Sequence, residues 1–185
     1  MNYFRIKDDI HDKDHSNLGG ITRNGSNVDA DLLTIGSMYD YDATQTYLVE
    51  GEVKSEFDFC LASFDVPIVS ERFARLLNGL ADNDCQLIPV ISTCGRKFFI
   101  LNTLGRVKCL DESRSLFTKW DASDGRPDRT GQYRMVAELR IVPEASQGRD
   151  IFRIVGWDVP LVVSERLIKL AQDQGMKGCV FELIS

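Results

Sequence analysis

"FDVPIVSERF" occupies residues 64–73 and "WDVPLVVSERL" residues 157–167. The phrases align as Asp65-Val66-Pro67 with Asp158-Val159-Pro160. After one inserted residue, Ser70-Glu71-Arg72 aligns with Ser164-Glu165-Arg166. Each proline biases its predecessor toward extended backbone, which makes "VPIV" and "DVPLVV" extended links. Each serine is placed to cap a helix, because its hydroxyl can accept from a free first-turn N–H. Glu71 and Glu165 then fall where the helix dipole favours negative charge. Phe73, Leu76, Leu77 and Leu80 follow at i, i+3, i+4 and i+7, one apolar helical face. Leu167, Leu170 and Ala171 form the second stripe, and Gly175 suits a left-handed stop.

Working outward, apolar runs flank both phrases. "DFCLASFD" and "CQLIPVI" bracket the first, and "IFRIVGW" and "CVFELI" bracket the second. The expectation is two pseudo-repeated strand–link–helix–strand units, at 57–92 and 151–185, packed on one sheet. Two copies are too few for a solenoid. The fold class expected is α+β, a mixed or antiparallel sheet with two helices. Pro67, Trp157, Pro160 and the two Ser-Glu-Arg triplets read as its structural motif.

The rest of the chain completes a single domain over 1–185. "NYFRIKDD" reads as an opening strand, and 11–30, rich in Gly, Asn and Asp, as loop. "TQTYLVEGEVKSEFDFCLAS" alternates like strands, with a turn near Gly51. The central section, 93–150, holds the strand-like "RKFFILNTLGRVKCL" and "QYRMVAELRIVP". Between them "DASDGRPDRTGQ", 121–132, reads as an exposed loop.

The 185 residues carry 43% hydrophobic and 27% charged side chains, ordinary for a globular chain. No apolar run approaches the ~20 residues of a membrane span. The opening lacks the basic-then-apolar pattern of a secretory signal, so the expected location is the cytoplasm. Cys60, Cys85, Cys94, Cys109 and Cys179 are scattered without a C-x-x-C pair and read as reduced, mostly core residues. Net charge is −6, of which the acidic, loop-rich segment 1–50 carries −5. That field repels nucleic-acid phosphates and favours a basic partner, or else is a solvated surface.

No catalytic set assembles from the sequence. A nucleophilic serine needs a base within reach, and the only histidines, His11 and His15, stand in the acidic opening. There is no G-x-S-x-G elbow and no phosphate-binding glycine motif. "HDKDH" spaces its histidines four apart, which suits a shared metal on a helix, but the flanks lack an apolar stripe and a surface loop is expected. Phe64 and Trp157, just before the Asp-Val-Pro links, either plug the gap between strand and helix or edge a binding groove. No enzyme activity, cofactor or metal is expected.

Taken together, "FDVPIVSERFARLL", "KFFILNTLGRVKCLDESRS" and "IFRIVGWDVPLVVSERLIKLAQDQGMKGCVFELI" resemble one bacterial family over about residues 57–185. It is the family catalogued as number eleven among immunity proteins of polymorphic toxin systems, formerly a domain of unknown function. The resemblance implies a protein that binds a cognate toxin domain and blocks it. An acidic surface would suit a basic nuclease toxin. The repeated phrase is then scaffold, and partner contacts are expected at Asp8, Asp9, Asp12, Asp14, Asp121, Asp124 and Asp128. The competing readings are a regulatory binding module without a toxin partner, and a small hydrolase using Glu71, Glu165 or the histidines.

Overall fold

The computed structural model describes residues 1–81 and 83–185. Its strands are β1 (Tyr3–Asp8), β2 (Asn17–Arg23), β3 (Ser26–Asn27), β4 (Tyr47–Glu52), β5 (Phe59–Ala62), β6 (Val66–Val69) and β7 (Cys85–Ser92). They continue with β8 (Lys97–Thr103), β9 (Arg106–Val107), β10 (Leu116–Lys119), β11 (Tyr133–Glu138), β12 (Ile151–Ile154), β13 (Trp157–Ser164) and β14 (Cys179–Leu183). The α-helices among the described residues are α1 (Glu71–Asn78) and α2 (Glu165–Asp173). No described helix is long and apolar enough to cross a membrane.

The expected α+β class is corrected by this architecture. The chain is mostly β, with 41% strand against 18% helix, in three sheets. The two phrases do not share a sheet. The first enters a seven-stranded sheet ordered β3-β2-β4-β7-β8-β6-β5, the second a five-stranded sheet ordered β14-β1-β13-β12-β9. β10 and β11 form a separate two-stranded ribbon.

The physical reason lies in the proline segments, which are strands rather than links. Val66–Val69 pairs antiparallel with β5, from Ala62↔Val66 to Phe59↔Val69. Pro67 lacks an N–H, so it suits a position where only one side of the strand is paired. Pairing of β6 with β8 begins one residue later, at Ile68↔Ile100. Pro160 repeats the device, since pairing of β13 with β1 begins at Leu161↔Ile6. Each phrase is therefore the second arm of a hairpin that ends in a helix cap.

Two further expectations change. Residues 17–23, read as loop, form β2 against β4, with a register shift between Leu18 and Ile21. Gly19 and Gly20 lie within that irregularity, as glycines do at bulges. Gly51 is not a turn but a strand residue opposite Leu18. At its φ of 101° an added Cβ would come within 2.2 Å of the Asn17 carbonyl.

Both helices lie in a core shared by the two large sheets. Phe73 and Leu77 from α1 and Leu167, Ile168 and Ala171 from α2 pack with Ile6, Phe59, Leu101, Ile151 and Val163. Each large apolar side chain buried there contributes about 1.5–3 kcal/mol. Leu170, assigned to the stripe, is instead partly exposed, and Ile168 takes the inward position. Gly175 does adopt the left-handed conformation, at φ 62°.

Candidate functional site

The Ser-Glu-Arg triplets build matching polar nodes. The Ser70 hydroxyl accepts from the Phe73 N–H at 3.2 Å and donates to Asp58 Oδ1 at 2.7 Å. Arg72 donates to Asp58 Oδ2 at 3.1 Å, and the Lys177 N–H to the same oxygen at 2.9 Å. In the second copy Ser164 accepts from the Leu167 N–H at 3.1 Å and donates to Asp150 at 2.5 Å. Arg166 grips both oxygens of Asp150. Asp58 and Asp150 are buried, and a buried carboxylate must be paired and hydrogen-bonded. Both serine hydroxyls are thereby committed to capping and ion holding. Glu71 pairs with Arg75 at 2.5 Å on the surface, and Glu165 accepts from the Asn2 N–H at 3.4 Å. Neither node presents an activated nucleophile.

The hairpin tips behave differently. Residues 63–65 close the β5–β6 hairpin. Phe64 (φ 60°, ψ 34°) and Asp65 (φ 57°) both lie in the left-handed region. That region costs a residue with a Cβ roughly 1–2 kcal/mol, and glycine would normally serve. The Phe64 side chain gains no packing in return, being 83% exposed. It does not plug the gap between strand and helix. The β12–β13 hairpin closes through Val155 and Gly156, the latter at φ 84°, as short hairpin loops require.

The two tips face one groove of about 540 Å³. Phe64 and Asp65 line it from one tip, and Trp157, Asp158 and Val159 from the other. Asp31, Thr34 and Ile35 form a further wall, and Arg129 and Tyr133 close the side toward the ribbon. Its floor is Arg153, only 1% exposed. The guanidinium donates from Nη1 to the carbonyls of Asp158 at 2.5 Å and Val159 at 3.1 Å, and from Nη2 to that of Asp65 at 3.4 Å. Its Nε has no partner. Burial lowers its pKa to about 10, with Asp158 and Asp65 opposing, so the group stays charged at neutral pH. Arg106 fixes the Asp158 carboxylate in a fork, Nη2 reaching Oδ1 at 2.7 Å and Oδ2 at 2.9 Å. Gly36 leaves room for that arginine, since a Cβ there would lie 2.4 Å from Arg106 Cγ. An exposed aromatic on strained backbone, beside Trp157, Tyr133 and Arg129, has the composition of a protein-contact anchor.

The seven expected contact aspartates separate into two groups. Asp8 bonds His15 at 3.0 Å. Asp9, Asp12 and Asp14 line a small cavity together with His15 and Cys60. Asp9 accepts from the His11 N–H and Asp12 from the Asp14 N–H. In the exposed 121–132 loop, Asp121 accepts from the Ser123 N–H at 2.7 Å, Asp124 pairs with Arg134 at 2.8 Å and Asp128 with Arg126 at 3.0 Å. These pairs spend much of the loop's negative charge locally.

Sequence reasoning missed Asp58, Asp150 and Arg153. A signal existed for each: an acid immediately before an apolar strand in "DFCLA" and "DIFRI", and a lone cation inside "IFRIV". The family model described as Immunity protein family (Imm11) matches residues 60–185, more than half of the chain. The matched stretch includes both hairpin tips and Arg153, and leaves out the wall at 31–35 and the acidic opening. No curated protein matches the chain.

Proposed function

We propose that this chain, which belongs to the Imm11 immunity protein family, binds a cognate toxin domain and blocks it in the cytoplasm of the producing bacterium. It acts by occupancy, without chemistry of its own. The groove between the hairpin tips is the contact site, and Phe64 its anchor. The observation that carries this reading is the exposed Phe64 phenyl on left-handed backbone, next to Asp65, whose carbonyl accepts from buried Arg153. A strained position without an internal contact to justify it points to an external one. Trp157 and Arg129 supply further side chains of the types that dominate interface energetics.

The acidic opening segment supports a basic toxin, such as a nuclease, through steering rather than through the groove itself. A stable complex would bury about 1,200–2,000 Å² in total. That area exceeds the groove alone and extends the footprint over the ribbon or the 31–35 wall.

The test is co-expression with the C-terminal domain of the protein encoded immediately upstream. Restored growth together with a one-to-one complex is the expected outcome. Absence of both, with each protein folded, removes the toxin-blocking reading and leaves a regulatory binding module.

A further inference from the structure

We propose that Asp8, His15 and Cys60 form a binding site for a zinc-class divalent cation that fastens the five-stranded sheet to the seven-stranded one. This proposal is independent of the toxin reading. The donors come from three places: the last residue of β1, the residue two before β2, and the second residue of β5. One ligand atom from each lies within 4.8 Å of the other two. The His15 Nε2 to Asp8 Oδ2 distance is already 3.0 Å. A tetrahedral ion with bonds of about 2.0–2.3 Å needs donors roughly 3.5 Å apart. Binding would therefore bring the three donors, now within 4.8 Å of one another, to that spacing.

A second observation, the surrounding charge, points to a cation. The adjoining cavity, about 20 Å³, has room for about one water molecule as a fourth ligand. Asp9, Asp12, Asp14 and Glu56 line it, and no lysine or arginine does. Carboxylates gathered without a basic partner raise the local cation concentration. The donor set selects among cations. One thiolate, one imidazole and one carboxylate suit zinc or cobalt, whereas magnesium and calcium take oxygen. Cys60 is 2% exposed, so its sulfur is shielded from solvent and from other thiols. On binding, the Cys60 S–H bond breaks, the proton leaves to buffer and the sulfur–metal bond forms. The proton between Asp8 and His15 moves to His15 Nδ1, freeing Nε2 and the carboxylate to form one metal–ligand bond each, and the Cys60 hydrogen bond to the Ser16 carbonyl is given up.

The consequence is positional. Asp8 and His15 bracket the 9–14 turn, so an ion at this point fixes both ends of that turn at once.

Cobalt(II) titration of the chelator-treated full chain tests the site, because a tetrahedral cobalt–thiolate centre has visible ligand-field bands and a near-ultraviolet charge-transfer band. The expected result is one cobalt per chain, displaced by zinc. Cys60→Ser should abolish the charge-transfer band, and Asp8→Asn should weaken binding at least about tenfold while leaving that band. Cys94→Ser, which removes the exposed thiol, should change neither. Should Cys60→Ser fail to fold, Asp8→Asn decides, since unchanged affinity there overturns the proposal. Lack of a thiolate band in the wild type overturns it, as does a band that follows Cys94 instead.

Discussion

Arg153 donates to the main-chain oxygen of Asp158 at 2.5 Å from inside the protein. The same guanidinium reaches the carbonyl of Asp65 at 3.4 Å. Asp65 and Asp158 are the equivalent aspartates of the two Asp-Val-Pro phrases. One buried cation thus clasps both hairpin tips by their backbones, across two different sheets. Removing it leaves part-buried carbonyls without this donor and a cavity where the guanidinium stood, and both cost stability. Arg153→Met is expected to lose on the order of 3 kcal/mol in urea unfolding. A loss below about 0.5 kcal/mol, the range of ordinary surface substitutions, would show that the clasp carries no stability.

Phe64 separates stability from binding. Phe64→Gly removes a Cβ from left-handed backbone, so thermal and chemical stability should hold or rise by up to about 1 kcal/mol. Toxin affinity should fall by about 2 kcal/mol, roughly thirtyfold, if the phenyl anchors the complex. Calorimetry against the co-purified toxin domain reads both. A destabilised variant with full affinity would place Phe64 in the scaffold and remove it from the interface.

Ser164 is more than a cap. Its hydroxyl accepts from Leu167 and donates to buried Asp150. Cap loss alone costs about 1 kcal/mol, and an under-satisfied carboxylate adds about 1 more. Ser164→Ala is therefore expected to lose about 2 kcal/mol, and Glu165→Gln, on an exposed residue, under about 0.5. Equal losses would mean that the acid, not the hydroxyl, holds the helix start. Inhibition by the folded Ser164→Ala protein should be unchanged.

The cysteines differ by environment. Burial raises Cys60 and Cys109 to about 12 and Cys179 to about 11. Cys94 is exposed, and a hydrogen bond with the Ser92 hydroxyl lowers its pKa. A thiol reagent at neutral pH should label Cys94 first, leaving Cys60 and Cys109 until the chain unfolds. Mass mapping of the labelled peptides checks the order. Early labelling of Cys60 in the native state would contradict its burial.

Local patterns were legible and distant ones were not. Ser70 and Ser164, the apolar face of α1 and the stop at Gly175 depend on residues within one or two turns, so spacing alone revealed them. Pro67 and Pro160 misled, because proline signals extended backbone without saying whether a neighbour pairs with it. Here the neighbours are β8 and β1, the latter from the far end of the chain. Matching orders result, β5-β6-β8-β7 in one sheet and β12-β13-β1-β14 in the other. The phrase alone cannot reveal this, since β1 and β8 hold different places in the chain. The sequence leaves Phe64 as plug or groove edge, and its exposure in three dimensions rules out the plug.

The acidic residues yield a prediction that divides them. Asp124 and Asp128 pair with Arg134 and Arg126, so reversing their charge breaks local pairs and changes the net charge by the same two units per site as any other aspartate. Asp9, Asp12 and Asp14 line a cavity without lysine or arginine, so reversal there removes uncompensated charge. Lysine at Asp9 and Asp12 together should slow association with a basic toxin about tenfold at low salt, with little effect on dissociation. Lysine at Asp124 and Asp128 together, the same change in net charge, should slow association less if the opening segment faces the toxin. The loop pairs have their own pH signature. Arg126 holds Asp128 below the usual carboxylate range, mainly through a hydrogen bond. A carboxylate lowered on folding stabilises above its ordinary pKa, and the gain is lost as pH falls through the lowered value. The amide signals of Asp128 and Arg129 should therefore keep their native positions through the ordinary aspartate range and shift only in stronger acid. Equal slowing by both charge reversals would assign steering to net charge alone and remove any special role for the opening segment.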